Sequence, residues 1–148
     1  MKTMTISKAA RQAGVGVETI RFYERKGLIS QPAKPLDGGF RDYPPLTVER
    51  IRFIRQAQEL GFSLREAGEL LLLRADPNTD AANVRARAAA KLAEVEDKIS
   101  RLSHMREALN TLIQACPGRG TLRQCTILDA LANGDDPGGA KKRDGQDA

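Results

Sequence analysis

The sequence predicts a mainly α-helical chain in which a small winged helix-turn-helix domain precedes one long coiled-coil helix and a short cysteine-bearing loop. Three observations carry this. Apolar residues recur at helical spacing in several short segments before residue 75. The stretch Asp80 to Ala115 contains neither Gly nor Pro. The only two cysteines, Cys116 and Cys125, then flank a loop opened by Pro117-Gly118.

The segment Glu18 to Ile29 combines helix-forming spacing with cationic and aromatic side chains. Ile20, Leu28 and Ile29 can face a small core, while Thr19, Arg21, Arg25 and Lys26 offer donors to a phosphate backbone or a base edge. Gly27 supplies a left-handed stop. Upstream, Ile6, Ala9, Ala10 and Ala13 form an apolar-periodic segment followed by Gly14-Val15-Gly16. Together these read as the two helices and tight turn of a helix-turn-helix, with the second as a DNA-recognition helix.

Ser30 to Leu36 carries Pro32 and Pro35 and should be extended, and Asp37-Gly38-Gly39 is a turn signal before Phe40-Arg41-Asp42-Tyr43. This predicts a β-hairpin wing that places Arg41 and Tyr43 beside a phosphate. Pro44-Pro45 opens the next helix, with Val48, Ile51, Phe53, Ile54, Ala57 and Leu60 inward and Arg50, Arg52 and Arg55 between them. Ser63-Leu64-Arg65-Glu66 is a capping box, and Leu64, Ala67, Leu70, Leu71 and Leu73 follow as packing positions.

In the long helix, expected over 80–116 after a hinge at 76–79, apolar residues fall at Leu92, Val95, Ile99, Leu102, Leu109 and Ile113, with Met105 beside an out-of-pattern Arg106. Steps of three and four make the a/d seam of a coiled coil, antiparallel or parallel. One helix cannot bury such a stripe, so a homodimer is expected. In the loop over 117–134, two glycines allow the sulfurs of Cys116 and Cys125 to converge. Thr126 should cap a short helix ending near Gly134, placing Cys125 at a helix N-terminus where the dipole favours a thiolate, aided by Arg119 and Arg123. The tail 135–148 has no apolar pattern and is expected to be disordered.

Charge is distributed unevenly. Residues 1–75 hold 13 Lys/Arg against 8 Asp/Glu, while residues 76–148 hold 11 against 11, so the excess of +5 lies in the first half and that half should meet a polyanion. With no Trp and 4% aromatics, the core should be aliphatic. No apolar run is long enough for a membrane span or signal peptide, which leads to the expectation of a cytoplasmic protein without membrane association, whose cysteines are reduced. No nucleophile-base pair, phosphate loop or carboxylate constellation stands out, so an enzyme is not expected and no organic cofactor is implied.

Glu18-Thr19-Ile20-Arg21-Phe22-Tyr23-Glu24, the wing Gly39-Phe40-Arg41-Asp42-Tyr43, Leu60-Gly61-Phe62-Ser63-Leu64, the long helix and the terminal cysteine loop, in that order, resemble the MerR family of transcriptional regulators over about residues 5–132. The resemblance implies a homodimer that binds the over-long spacer of double-stranded promoter DNA and, on binding an inducer, distorts it so that RNA polymerase can use it. By position it implies DNA contacts from Thr19, Arg21 and Tyr23 in the recognition helix, Arg41 and Tyr43 in the wing, and Arg55. Cys116 and Cys125 match the metal-sensing branch. The fold expected is thus a winged helix-turn-helix DNA-binding domain, a long antiparallel coiled-coil dimerisation helix and a C-terminal metal-binding loop.

Members that sense divalent ions usually carry a further cysteine at the start of the long helix, and the matching place here is Ala81, preceded by Thr79 and Asp80. Two thiolates without a third sulfur or imidazole favour linear coordination, meaning Cu(I), Ag(I), Au(I) or Hg(II), over tetrahedral Zn(II). The eight residues between the cysteines are one more than expected for copper-type members and equal to mercury-type ones. Ligand chemistry outweighs loop length here, because an inserted loop residue costs little whereas Ala cannot replace a ligand. His104 falls at an outward position and is expected to be solvated; Asp80 is a candidate oxygen ligand from the partner subunit.

Overall fold

The computed structural model describes residues 4–134, so the tail expected to be disordered lies outside the described residues. Six α-helices follow in order: α1 (Ile6–Ala13), α2 (Val17–Arg25), α3 (Pro45–Glu59), α4 (Leu64–Ala75), α5 (Ala81–Ala115) and α6 (Thr126–Asn133), with a single 3-10 turn at Leu122–Gln124. The chain divides between Lys91 and Leu92 into two compact units.

In the first unit α1 packs on α2 and α3, and α3 on α4. Thr5 caps α1 through its hydroxyl. The α1–α2 turn needs a residue at positive φ, and Gly14 supplies it at +72°. The core gathers Met4, Ala9, Ala10, Ala13, Ile20, Ile29, Val48, Ile51, Ile54, Ala57 and Ala67, together with Tyr23 and Tyr43. Ile20, Ile51 and Ile54 are fully buried, so shortening one to Ala would cost about 2–5 kcal/mol. Leu60, expected inward, is exposed where α3 ends. At α4 the Ser63–Glu66 capping box forms in both directions, at 3.1 and 2.8 Å.

The wing departs from expectation. No strand occurs among the described residues, and 30–44 is irregular rather than a hairpin. Pro32 and Pro35 lack the N–H groups a ladder needs. The segment instead uses local and terminal partners. Asp37 accepts from the Gly39 N–H at 3.0 Å, Gly38 N–H donates to Pro35 O at 3.1 Å, and Tyr43 N–H donates to Met4 O at 2.8 Å. Met4 N–H returns a bond to Asp42 Oδ1 at 2.8 Å.

Helix α5 runs unbroken from Ala81, with Asp80 as its cap through Oδ1 to the Ala82 N–H at 2.9 Å. Beyond Lys91, Leu92, Val95, Ile99, Leu102, Met105, Leu109 and Ile113 are all exposed in the single chain. Helix α6 starts one residue earlier than its expected cap implies: Cys125, not Thr126, is the N-cap, and Gly134 ends the helix at φ +68°. The extended backbone of Cys125 fits a cap, whereas Thr126 already has helical geometry.

Candidate nucleic-acid interface and metal centre

Helix α2 sorts its side chains by its own period. Ile20 and Tyr23 turn inward, and Arg21, Phe22, Arg25 and Lys26 are exposed on the other side, with Thr19 half-buried. The Phe22 ring lies 5.9 Å from the Arg25 guanidinium and 5.6 Å from the Lys26 ammonium, so the ring groups the two cations. Arg21 lines a shallow depression with Gln31, Lys34, Phe40 and Arg41. Gln31 and Lys34 were not singled out from sequence. A cationic residue inside a proline-rich segment was the available signal for Lys34.

The other sequence-predicted DNA residues have internal partners. Arg41 is half-buried and its Nη1 donates to Pro32 O at 3.2 Å, which holds the wing folded. Arg55 is exposed and its Nη1 donates to Gly14 O, while Arg52 Nη2 donates to Gln12 O at 2.7 Å. Both guanidiniums therefore fasten the helix-turn-helix corner to α3. Tyr23 and Tyr43 are 4% and 2% exposed. The Tyr23 hydroxyl donates to Gln58 Oε1 at 3.3 Å; burial raises its pKa against the opposing charge of Arg55. The Tyr43 hydroxyl donates to Glu24 Oε2 at 3.0 Å, and burial, then the Glu24 hydrogen bond and charge, push its pKa up to about 12.

In the second unit, Cys116 follows the last turn of α5 and Cys125 caps α6, both half-buried. Gly118 and Gly120, at φ +71° and +86°, turn the loop back on itself. The Sγ atoms stand 3.7 Å apart. The Leu128 and Ile127 N–H groups lower the Cys125 thiol pKa, burial opposes them, Cys116 assists and Asp129 opposes. The helix N-terminus thus lowers the Cys125 thiol as expected, while Arg119 and Arg123 are not among the causes. Two sulfurs each ~2.3 Å from one ion span at most ~4.6 Å, so the pair fits a bridging thiophilic ion; a collinear arrangement asks the loop to open by about 1 Å. No group of three or more His, Cys, Asp or Glu suited to a metal occurs among the described residues.

Residues 4–73 match the model of the MerR HTH family regulatory protein, and residues 48–112 match that of the MerR DNA-binding region. The chain belongs to the MerR family of transcription regulators. It is similar to the mercuric resistance operon regulatory protein of Serratia marcescens, 41% identical with 95% of each chain covered. It is also similar to the HTH-type transcriptional regulator CueR of Salmonella typhimurium, 40% identical over 87% of this chain and 92% of that one. The crystal structure of a Ralstonia metallidurans transcription regulator in complex with lead(II) superposes with a TM-score of 0.77 at 34% identity, covering 86% of this chain and 98% of that one. The family member is thus a DNA-binding regulator rather than an enzyme. No helix among the described residues is long and apolar enough to cross a membrane.

Proposed function

We propose that the chain is a homodimeric, metal-responsive regulator that binds promoter DNA and activates transcription by distorting the promoter when a thiophilic ion binds, with Cu(I), Ag(I) or Au(I) favoured. The observation that carries this reading is the approach of Cys116 and Cys125 to 3.7 Å across eight intervening residues. Arg21, with Arg25 and Lys26 on the same helix and Arg41 in the wing, serves the phosphates or base edges; Thr19 contacts DNA from the same helix. Tyr23, Tyr43 and Arg55 act at this surface chiefly by holding it, since their polar atoms bond to Gln58, Glu24 and Gly14. The exposed seam of α5 pairs two subunits, antiparallel, and so fixes two recognition helices on one duplex.

When bound, the ion supplies a cross-link between the two thiolates; the chain's own part is to hold Cys125 at the N-terminus of α6, where backbone N–H groups favour the deprotonated ligand. The copper group is favoured because Ala81 stands where divalent-ion sensors are expected to carry a third thiol, and the Asp80 carboxylate caps α5. An Hg(II)-responsive regulator is the second reading, favoured by the loop length and by the mercuric resistance regulator among its relatives. The same sulfur spacing would also suit a reversible thiol switch, whose response to oxidant would survive metal chelation. The test is Cys116→Ser in a promoter-reporter assay. Operator binding should persist and induction by metal should vanish; a variant that remains inducible removes Cys116 from the site.

A further inference from the structure

We propose that Lys91 is a positioning residue that locks the first turns of the long helix to α4 and thereby sets the operator half-site separation the dimer accepts. This rests on the dimeric, DNA-binding reading above. Lys91, about three turns into α5, is only 8% exposed despite its charge. Its Nζ donates to Glu66 Oε1 at 2.9 Å and lies 5.4 Å from the centroid of the Phe62 ring. Its stem passes close to Gly61, where an added Cβ would stand 3.6 Å from Lys91 Cδ. One turn earlier, Arg87 Nη1 pairs with Glu69 Oε2 at 2.6 Å.

A buried cation is tolerated only where its partners are well placed, because one left unpaired is costly. Here Glu66 lies in the first turn of α4 and Phe62 just before it. Glu66 is at the same time the capping-box residue that accepts the Ser63 N–H, so Lys91 binds a carboxylate already held by backbone. The bridge spans the irregular segment 76–80, which by itself would leave α5 free to rotate against α4. Two ion pairs one turn apart on α5, received by Glu66 and Glu69 on α4, fix both the rotation and the height of the first three turns of α5 against α4. If α5 also pairs the subunits, that register becomes the separation of the recognition helices. One added base pair moves a half-site ~3.4 Å along the duplex and about a tenth of a turn around it, so a loosened register should be read directly as relaxed spacing.

The experiment uses the full chain and a duplex that the wild-type protein selects from a randomised pool, together with versions carrying one base pair added or removed between the half-sites. Wild type should prefer the selected spacing. Lys91→Met should lose about fivefold or more of that preference, in the range expected for coupling between contacting groups, while Lys91→Arg retains most of it. A residue that merely stabilises the fold would weaken binding to all three duplexes in proportion. Glu66→Gln removes the partner charge without changing size, and it decides the matter in the same way should Lys91→Met fail to fold. Folded variants with wild-type spacing ratios overturn the proposal while leaving the DNA-binding reading intact; a wild-type protein that selects no duplex overturns both.

Discussion

The hydroxyl of Tyr43 donates to Glu24 Oε2 at 3.0 Å, tying the end of the 30–44 segment to α2. The next residue back, Asp42, accepts the Met4 N–H, and Tyr43 N–H donates to Met4 O, so a segment without strands is held at three points. The wing is thus ordered against α2 by side chains rather than by a ladder.

Tyr43→Phe should remove that tie and destabilise the domain by about 1.5–3 kcal/mol, because a hydrogen bond to a charged group contributes on this scale. Since the folded pKa is raised from 10.0 to about 12, this stabilisation is fully present below pH 10 and is lost as pH rises to about 12. Ultraviolet titration of wild type and variant checks it. A phenol titrating near 10 in the folded wild type contradicts it.

Arg21 is exposed on α2 without an internal role comparable to those of Arg52 and Arg55. Arg21→Ala should weaken operator binding and reduce the slope of affinity against salt by about one, as expected for one lost phosphate contact. Binding curves at several salt concentrations decide it; an unchanged affinity and slope would remove Arg21 from the interface.

Much of this architecture was legible in the sequence, and the failures have specific causes. The Ser63–Glu66 box and α5 depend on local spacing, and both formed where spacing put them. Tyr23 and Tyr43 were expected at the DNA surface, and their burial could not be anticipated because their partners, Gln58 and Glu24, lie 35 and 19 residues away and leave no periodic signal. The hairpin expectation followed the Asp37-Gly38-Gly39 turn and gave too little weight to Pro32 and Pro35. Lys91 was invisible because a lysine in a helical run is ordinarily solvent-exposed. The cysteine pair was legible as a pair, but its backbone donors at Leu128 and Ile127 depend on where α6 begins.

The seam of α5 gives a test of assembly. Leu102 is 62% exposed in the single chain, an apolar surface that a coiled-coil partner would cover. Leu102→Glu should shift the protein to monomer in sedimentation at micromolar concentration. A variant that remains fully dimeric excludes this stripe as the interface.

Acid should loosen the α4–α5 bridge. The Ser63 N–H, Lys91 and the Ser63 hydroxyl hold the Glu66 carboxyl at about 2, below its ordinary value of 4.5. Its contribution to stability is therefore present above about pH 4.5 and disappears as pH falls to about 2. Denaturant unfolding of wild type and Glu66→Gln should differ at neutral pH and converge in acid. A gap that persists undiminished at pH 2 would contradict the assignment.

Metal sensing is tested by a competition titration of the reduced protein with Cu(I), Ag(I), Hg(II) and Zn(II), under a chelator of known affinity, read by thiolate-to-metal ultraviolet absorption. Tight Cu(I) or Ag(I) binding that Cys116→Ser and Cys125→Ser each abolish is expected, with Zn(II) weak. Tight binding of Hg(II) alone would contradict the copper-group preference and favour the mercury reading, and no tight binding of any ion would contradict metal sensing itself.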